Sequence, residues 1–177
     1  MTPGFLRASL ERDLRAAEQL LQACLPDDWP GEATDVLSLR LKQLQAEPSL
    51  QPWLLRAMVI RETRTMIGHI GFHNGPGTDC LGALEFGFTV FSAFHRQGFA
   101  REASLALMDW ARETHQVRKF ILSIRPANAA SQALARGLGF VRIGSHLDEV
   151  DGLEDVLEYN ALIRARTERW SSPSQDR

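Results

Sequence analysis

The chain of 177 residues has 44% hydrophobic and 24% charged residues and a formal net charge of -2 at pH 7. This length favours one domain whose core needs no disulfide or metal to hold it, and the composition is that of an ordered globular protein. A net charge so close to zero argues against a dedicated binder of nucleic acids or other polyanions. The charge is unevenly spread: 96–142 has eight basic and three acidic residues, or +5, whereas 143–160 has six acidic and no basic residues, or -6.

The cysteines and the first residues bear on where the protein works. Cys24 and Cys80 lie far apart and form no CxxC motif, so we expect reduced thiols and a cytoplasmic protein. No apolar run reaches the roughly 18 residues of a membrane span, and the start of the chain has no basic-then-apolar signal peptide. We predict a single domain over 1–165 and a flexible tail over 166–177.

Two helices are predicted before the first strand. Apolar residues three or four positions apart in 9–24 predict an amphipathic helix, which ends at the proline- and glycine-rich segment 26–31. A second helix is expected over 34–45, with Thr34 or Asp35 as its cap.

The rest of the chain alternates strands with two further helices. One helix is predicted from 95 to 114, and a shorter one over 129–136, where Asn128 caps the start and Gly137 ends the helix. The strand–helix–strand unit at 82–124 predicts a parallel pair. Its neighbours are hairpins, so we expect an α/β (α+β) domain with a mixed, mostly antiparallel sheet and helices on both faces. The predicted strands are 53–61, 66–73, 82–91, 118–124, 140–146 and 153–163.

The turn Gln97-Gly98-Phe99-Ala100 separates a predicted strand from a predicted helix. Such a turn exposes backbone N–H groups at the positive end of the helix dipole. Gly98 can adopt a positive φ and lets a ligand approach the backbone, which favours an anion site. An ordinary helix start, in which Gly98 only serves the turn, explains this motif alone equally well.

Four sequence blocks carry a resemblance to a known family. They are Leu84-Glu85-Phe86-Gly87-Phe88, Phe94-His95-Arg96-Gln97-Gly98-Phe99-Ala100-Arg101-Glu102-Ala103, Pro126-x-Asn128-x-x-Ser131 and Gly137-Leu138-Gly139-Phe140. In this order and at this spacing they resemble the GNAT superfamily of acetyl-CoA-dependent N-acetyltransferases. The most similar branch is the Rim type, which acetylates N-terminal amines of ribosomal proteins. The resemblance covers about residues 53–160 and implies the GNAT fold. Its parallel strands 82–91 and 118–124 would splay apart around pantetheine, with the helical segment 9–47 on the acceptor side.

The resemblance also implies the co-substrate and the residues that hold it. Acetyl-CoA would place its pyrophosphate on the backbone N–H groups of about 97–101, and no metal is expected. The first position of the family's phosphate motif is Gln or Arg, whereas this chain has His95. A neutral imidazole offers one donor and no fixed charge, so Arg96 or Arg101 would have to substitute and cofactor binding could be weaker. The cofactor-binding residues implied are Phe91, Arg96, Gln97, Gly98, Phe99, Ala100, Arg101, Asn128 and Ser131.

Glu85 is the candidate catalytic base or substrate-orienting residue. Transfer of an acetyl group to an amine requires removal of a proton from the ammonium form, and a carboxylate on a central strand is costly unless it has a partner or a role. In the family, the glutamate at this place is often assigned to proton removal. The alternative is an ion pair with an arginine such as Arg125 or Arg142. The backbone N–H groups near Val90 to Ser92 are the expected oxyanion donors.

Asn128 and Ser131 have two interpretations. By residue chemistry they are the N-cap and N3 residues of a well-capped helix. In Rim-type enzymes the matching asparagine contacts pantetheine and the matching serine, here the second catalytic candidate, lies near the sulfur. Tyr159 is a further possible acid, or simply a half-buried strand aromatic.

The resemblance thus implies an N-acetyltransferase. We expect direct transfer in a ternary complex, because neither cysteine matches a nucleophile motif. The expected acceptor is a primary amine, on a protein N-terminus or a small molecule. The alternative is a non-catalytic acyl-CoA-binding module of the same fold. We expect no nucleic-acid or membrane partner. The expected oligomeric state is a monomer or a homodimer. The acidic segment 143–160 either attracts a cationic amine or forms a solvated hairpin rim.

Overall fold

A computed structural model describes residues 1–77, 82–148 and 152–161. The chain divides into two compact units, each built from two chain segments. The first unit is Met1–Gly75 with Gly87–Ser104, and the second is Pro76–Phe86 with Leu105–Arg177. The predicted tail, 166–177, lies outside the described residues. Within the described ranges, no helix is long and apolar enough to cross a membrane.

The N-terminal segment of the first unit forms two short helices, α1 (Pro3–Leu10) and α2 (Leu14–Leu21). The single helix predicted over 9–24 is therefore wrong. Arg12 adopts a left-handed φ of 58°, and the Asp13 side chain accepts a hydrogen bond from the N–H of Ala16 at 3.0 Å. The chain turns there because Asp13 restarts the helix as an N-cap.

The third helix, α3 (Thr34–Ala46), agrees with the predicted span but not with its predicted cap. Its N-cap is Ala33, which has no side-chain cap hydrogen bond. The hydroxyl of Thr34 instead donates to the carbonyl of Gly31 at 2.8 Å. A 3₁₀ turn over Gly31–Ala33 leads directly into the helix, so the turn rather than a side chain sets its start.

The core of the first unit packs α1 and α3 against aromatic side chains. Trp29 is 4% exposed, and its indole Nε1–H donates to the buried hydroxyl of Ser9 at 2.8 Å. His69 lies 6.3 Å from Trp29 between ring centroids, and its burial lowers its pKa to about 4. His69 is therefore neutral at pH 7. Fully buried members of this core are Phe5, Leu6, Leu37, Leu54 and Met66.

Two antiparallel strands, β1 (Arg56–Ile60) and β2 (Thr65–Phe72), complete the first segment. The following strand, β3 (Ala83–Val90), belongs to the second unit up to Phe86 and to the first unit from Gly87 onward. Within the first unit, a Cβ on Gly68 would collide with the carbonyl oxygen of Thr89. The glycine therefore permits a close backbone approach at the end of β3.

Helix α4 (Phe99–His115) also runs through both units, and the second unit adds β4 (Lys119–Ile124), α5 (Ala129–Leu138), β5 (Val141–Asp148) and β6 (Gly152–Asn160). Strand β3 pairs with β4 in parallel, and β4–β6 and β5–β6 are antiparallel. The strand order is β1-β2-β3-β4-β6-β5. The predicted mixed, mostly antiparallel sheet with one parallel pair is confirmed.

Two predicted ends in the second unit differ from the structure. Helix α5 passes through Gly137 and ends at Leu138, and Gly139 follows as its C-cap with a left-handed φ of 91°. Strand β6 ends at Asn160. The strand predicted over 153–163 extends to residues 162–163, which lie outside the described residues.

Candidate functional site

Backbone hydrogen bonds and a short turn fix the segment between β3 and α4, which lies within the first unit. The N–H of Phe91 donates to the carbonyl of Ile67 at 2.8 Å, and a 3₁₀ turn covers Ser92–Phe94. Arg96 and Gly98 then take positive φ values of 61° and 88°. Two left-handed residues so close together form a tight loop at the start of the helix.

The start of α4 provides the backbone donors that the sequence predicts. The N–H of Glu102 donates to the carbonyl of Gly98 at 3.0 Å. The N–H groups of Phe99, Ala100 and Arg101 precede that bond, so they have no carbonyl one helical turn before them to bond. A Cβ on Gly98 would meet nothing within 4 Å, so the space in front of the loop is open. Open N–H groups at the positive end of a helix of 17 residues suit a phosphate group.

His95 is bonded to the strand end. Its Nε2 lies 2.8 Å from the carbonyl oxygen of Val90. A carbonyl only accepts, so Nε2 carries a proton, and in the neutral form of the ring Nδ1 is an acceptor. Such a ring has no N–H left to donate to a phosphate. Of the charged side chains predicted to contact phosphate in its place, Arg96 and Arg101 are both exposed.

Gln97 and Phe91 also make contacts that limit their roles. The side-chain amide of Gln97 donates to the carbonyl of Ala93 at 3.3 Å, so its backbone N–H is the group left for a ligand. The half-buried ring of Phe91 packs 6.0 Å from Trp29 between centroids. Because the Phe91 N–H already donates to the carbonyl of Ile67, this N–H is a poor oxyanion donor. It is therefore removed from the donors expected near Val90 to Ser92.

Glu85 lies on β3 within the second unit and is half-buried. It pairs in register with Ile121, which in turn pairs with Glu158 on β6. Residues in register on neighbouring strands point to the same face, so Glu85, Ile121 and Glu158 share one face. Neighbouring strands lie about 4.8 Å apart, which puts the two glutamate backbones roughly 10 Å from each other.

Of the two arginines considered as partners of Glu85, Arg142 bonds another carboxylate. Arg142 Nε donates to Asp155 Oδ1 at 2.6 Å, and Arg125 is exposed. The second oxygen of Asp155 accepts from the buried side chain of Gln132 on α5 at 3.1 Å. An aspartate held by a guanidinium and an amide has a structural role.

The acidic residues of the segment 143–160 therefore have different surroundings. Asp155 is neutralised by Arg142, and Glu154 Oε2 lies 3.7 Å from His146 Nε2. Glu158 instead lies on the face of Glu85. The sequence charge count identified the segment but could not separate these residues. Side chains alternate between the two faces along a strand. Once the hairpin register is known, this alternation puts Glu158 and Asp155 on opposite faces of the sheet.

Asn128 and Ser131 form the cap that residue chemistry predicts. Asn128 Oδ1 accepts from the N–H of Ser131 at 3.1 Å at the start of α5. The Asn128 amide nitrogen and the half-buried Ser131 hydroxyl remain as donors at this helix start. Capping therefore does not use up the groups that a ligand would contact.

Tyr159 lies on the opposite face of the sheet from Glu85. It pairs in register with Phe120, and its ring is 6.3 Å from Phe120 and 5.6 Å from Phe140 between centroids. The half-buried aromatic interpretation fits this packing.

Comparison with known proteins identifies the family. A family model described as an acetyltransferase (GNAT) domain matches residues 7–141. This is more than half of the chain, so the chain belongs to the GNAT acetyltransferase family and is an acetyltransferase. The family predicted from the four sequence blocks is confirmed. Members of this family use acetyl-CoA.

Individual relatives agree with the family and differ in acceptor. The chain is 25% identical over 118 residues, 64% of its length and 67% of the relative's, to the uncharacterized N-acetyltransferase YjdG of Bacillus subtilis. A ribosomal-protein-S5-alanine acetyltransferase from Vibrio fischeri superposes with a TM-score of 0.65 at 14% identity, covering 91% of this chain and 90% of that one. A spermidine N-acetyltransferase SpeG chimera from Vibrio cholerae and hSSAT superposes with a TM-score of 0.62 at 17% identity, covering 94% and 96%. These structural likenesses concern the fold.

Proposed function

We propose that the protein transfers an acetyl group from acetyl-CoA directly to a primary amine while both are bound. The observation that carries the donor half is the start of α4, where Gly98 has a φ of 88° and open space in front of it. Unused N–H groups at a helix start match an anionic pyrophosphate. Acetyl-CoA supplies an activated thioester when bound.

On the donor side, the proposal gives the phosphate to the backbone N–H groups of 97–101, with Arg96 and Arg101 as charged contacts. Their guanidinium groups are always protonated and can form paired hydrogen bonds with phosphate oxygens. Asn128 would donate from its amide nitrogen to a pantetheine carbonyl, since its oxygen caps α5. Ser131 would donate a hydrogen bond near the sulfur.

On the acceptor side, Glu85 takes the proton that the amine must lose before its nitrogen bonds to the acetyl carbon. The new nitrogen–carbon bond replaces the carbon–sulfur bond, and CoA leaves as a thiolate that takes up one proton while the acetylated nitrogen loses one. Glu158 shares the face of Glu85 and would favour an acceptor that carries positive charge. A cationic small amine or a protein N-terminus both meet this description. The cytoplasmic location stays a prediction from cysteine usage.

Thiol release from acetyl-CoA across an amine panel tests the proposal. The panel contains N-terminal alanine and serine peptides, polyamines and uncharged monoamines. We expect release with at least one amine and a preference for cationic ones. If CoA binds but no amine elicits thiol release, the non-catalytic acyl-CoA-binding module is the correct reading.

A matched pair of variants separates the two glutamates. Glu85→Gln should lower kcat roughly 10²- to 10⁴-fold, the usual contribution of a positioned base, and remove the acidic limb of the pH profile. Glu158→Gln should raise KM for a dicationic amine while kcat changes little, because it removes an attraction present before and during the reaction. An unchanged pH profile in Glu85→Gln would exclude Glu85 as the base.

A further inference from the structure

The ring of His73 lies over Gly87, the one residue of β3 that has no side chain. A Cβ built on Gly87 would lie 3.1 Å from His73 Nε2, closer than the 3.4–4 Å of ordinary van der Waals contact. Both residues belong to the first unit and are half-buried. The space that the glycine opens above the strand is therefore taken by the imidazole ring.

Gly87 lies on the face of β3 that carries Glu85. Side chains two positions apart on a strand share a face, so Glu85, Gly87 and Thr89 are directed to the same side. Glu85 is half-buried and Thr89 is exposed, whereas Phe86 on the opposite face is 1% exposed. The face that His73 covers is therefore polar and open to solvent, and its ring lies outside the buried hydrophobic core.

Two side chains of α3 hold the main chain at His73. The guanidinium of Arg40, which is 6% exposed, donates from Nη1 to the carbonyl of His73 at 3.1 Å and to Gln43 Oε1 at 2.7 Å. The side-chain amide of Gln43 donates to the same carbonyl at 3.2 Å. Among the residues that the structure describes, no carboxylate forms an ion pair with Arg40. The end of β2 is therefore fixed by a buried hydrogen bond from a charged group.

Two glycines fix the chain on either side of His73. A Cβ on Gly71 would lie 2.5 Å from the carbonyl oxygen of Leu54, and one on Gly75 would lie 2.8 Å from Leu50 Cδ2. Glycine permits this close approach of the backbone, which packs the segment against residues 50–54. Because the chain is held on both sides and from α3, the backbone of His73 has little freedom to move its ring away from Gly87.

We propose that His73 is a specificity-determining residue, whose ring selects a primary amine on an unbranched carbon. The proposal rests on the proposed function, in which the acceptor amine gives its proton to Glu85. An amine that reaches Glu85 along this face of β3 passes the ring at Gly87. A CH₂ group next to the nitrogen fits beside the ring, whereas a branch at that carbon adds a methyl-sized group that meets it. Polyamine ends and an N-terminal glycine carry such a CH₂ group, and an N-terminal alanine or serine does not.

Isomeric amines test this selection. Thiol release is measured with butylamine and sec-butylamine, and with peptides that begin with glycine or alanine. In the wild-type protein, kcat/KM should be about 10-fold higher for the unbranched member of each pair that releases thiol, the usual effect of one misplaced methylene. An equal or higher kcat/KM for the branched member overturns the proposal.

His73→Ala and Gly87→Ala should change this preference in opposite directions. Removal of the ring should abolish the preference for the unbranched amine. A Cβ on Gly87 should strengthen it, because the ring must move outward by a few tenths of an ångström. The double variant should behave as His73→Ala alone, since the added methyl then has no ring to displace.

His115→Ala and Gly144→Ala are the matched controls. His115 is exposed, and a Cβ on Gly144 would meet nothing within 4 Å. Both variants should keep the wild-type preference, and all of the variants should keep their CoA affinity in calorimetry and their circular dichroism spectrum. If His73 only supports the fold, His73→Ala lowers Tm and leaves the preference unchanged, which refutes the proposal.

A measurement without turnover separates this inference from the proposed function. With CoA in place of acetyl-CoA no transfer occurs, and butylamine should shift the imidazole NMR signal of His73, which is identified by its loss in His73→Ala. The signal of His115 should not shift. If no amine elicits thiol release, the proposed function fails, and the spectrum still decides the inference. Absence of a shift at His73 up to saturating amine refutes it.

Discussion

Replacing Gly98 by alanine separates a phosphate-binding loop from an ordinary helix start. Gly98 has a φ of 88°, and an added Cβ would meet nothing within 4 Å. The cost to stability is therefore backbone strain alone, about 1–2 kcal/mol for a left-handed alanine. For a chain of this size each kcal/mol lowers Tm by about 2–4 °C.

The effect on CoA binding should be larger than this strain explains. A methyl group in front of the loop keeps a pyrophosphate away from the N–H groups of Phe99 and Ala100. Loss of one hydrogen bond to a charged group costs about 1.5–3 kcal/mol, which is roughly a 10- to 100-fold increase in Kd. Isothermal titration calorimetry with CoA measures this directly, and thermal unfolding of the same sample measures the strain.

Gly152→Ala is the matched control for strain. Gly152 has a φ of 76° and equally open surroundings, but it begins β6 in the second unit. We expect the two variants to lose similar stability and only Gly98→Ala to lose CoA affinity. Wild-type affinity in Gly98→Ala, or an equal loss in Gly152→Ala, would refute the phosphate role of this loop.

Two further predictions concern histidines. In folded protein the pKa of His69 is about 4, below its ordinary value of 6.5, so its contribution to stability is complete above pH 6.5 and is lost as the pH falls toward 4. Urea unfolding should show about 2 kcal/mol of this loss by pH 5; the exposed His115→Gln should keep it and His69→Gln should abolish it, and an equal pH dependence in both variants would contradict the burial argument. For His95, nitrogen-15 spectra at pH 8 should show the Nε2–H tautomer, and His95→Ala should raise the CoA Kd by less than tenfold, whereas a hundredfold rise would place the ring on the phosphate.

The elements that could be predicted from the sequence are those with an unbroken local pattern. The parallel pair and α4 follow from one strand–helix–strand unit, and these are present. The break between α1 and α2 was missed because Leu10, Leu14 and Ala17 keep helical spacing across it. The signal was the capping residue Asp13, which outweighs apolar periodicity at that point.

The candidate site was predicted only as far as residue types and motifs allow. Gly98 and Asn128 follow from local turn and cap chemistry, and both are found in those conformations. The bond from His95 to Val90 and the shared face of Glu85 and Glu158 depend on loop geometry and strand register. These contacts form only when distant segments are folded together, so local sequence patterns do not predict them.

The way the chain divides between its two units has a consequence for synthesis on the ribosome. The first unit needs Gly87–Ser104 as well as Met1–Gly75, so it stays incomplete until residue 104 has been added. Trp29 meets Phe91 only after the segment 76–86, which belongs to the other unit, has already been made. At about 5–20 residues per second this delay lasts on the order of seconds. An early N-terminal fragment therefore emerges with Trp29 lacking its aromatic neighbour Phe91, which is added 62 positions later.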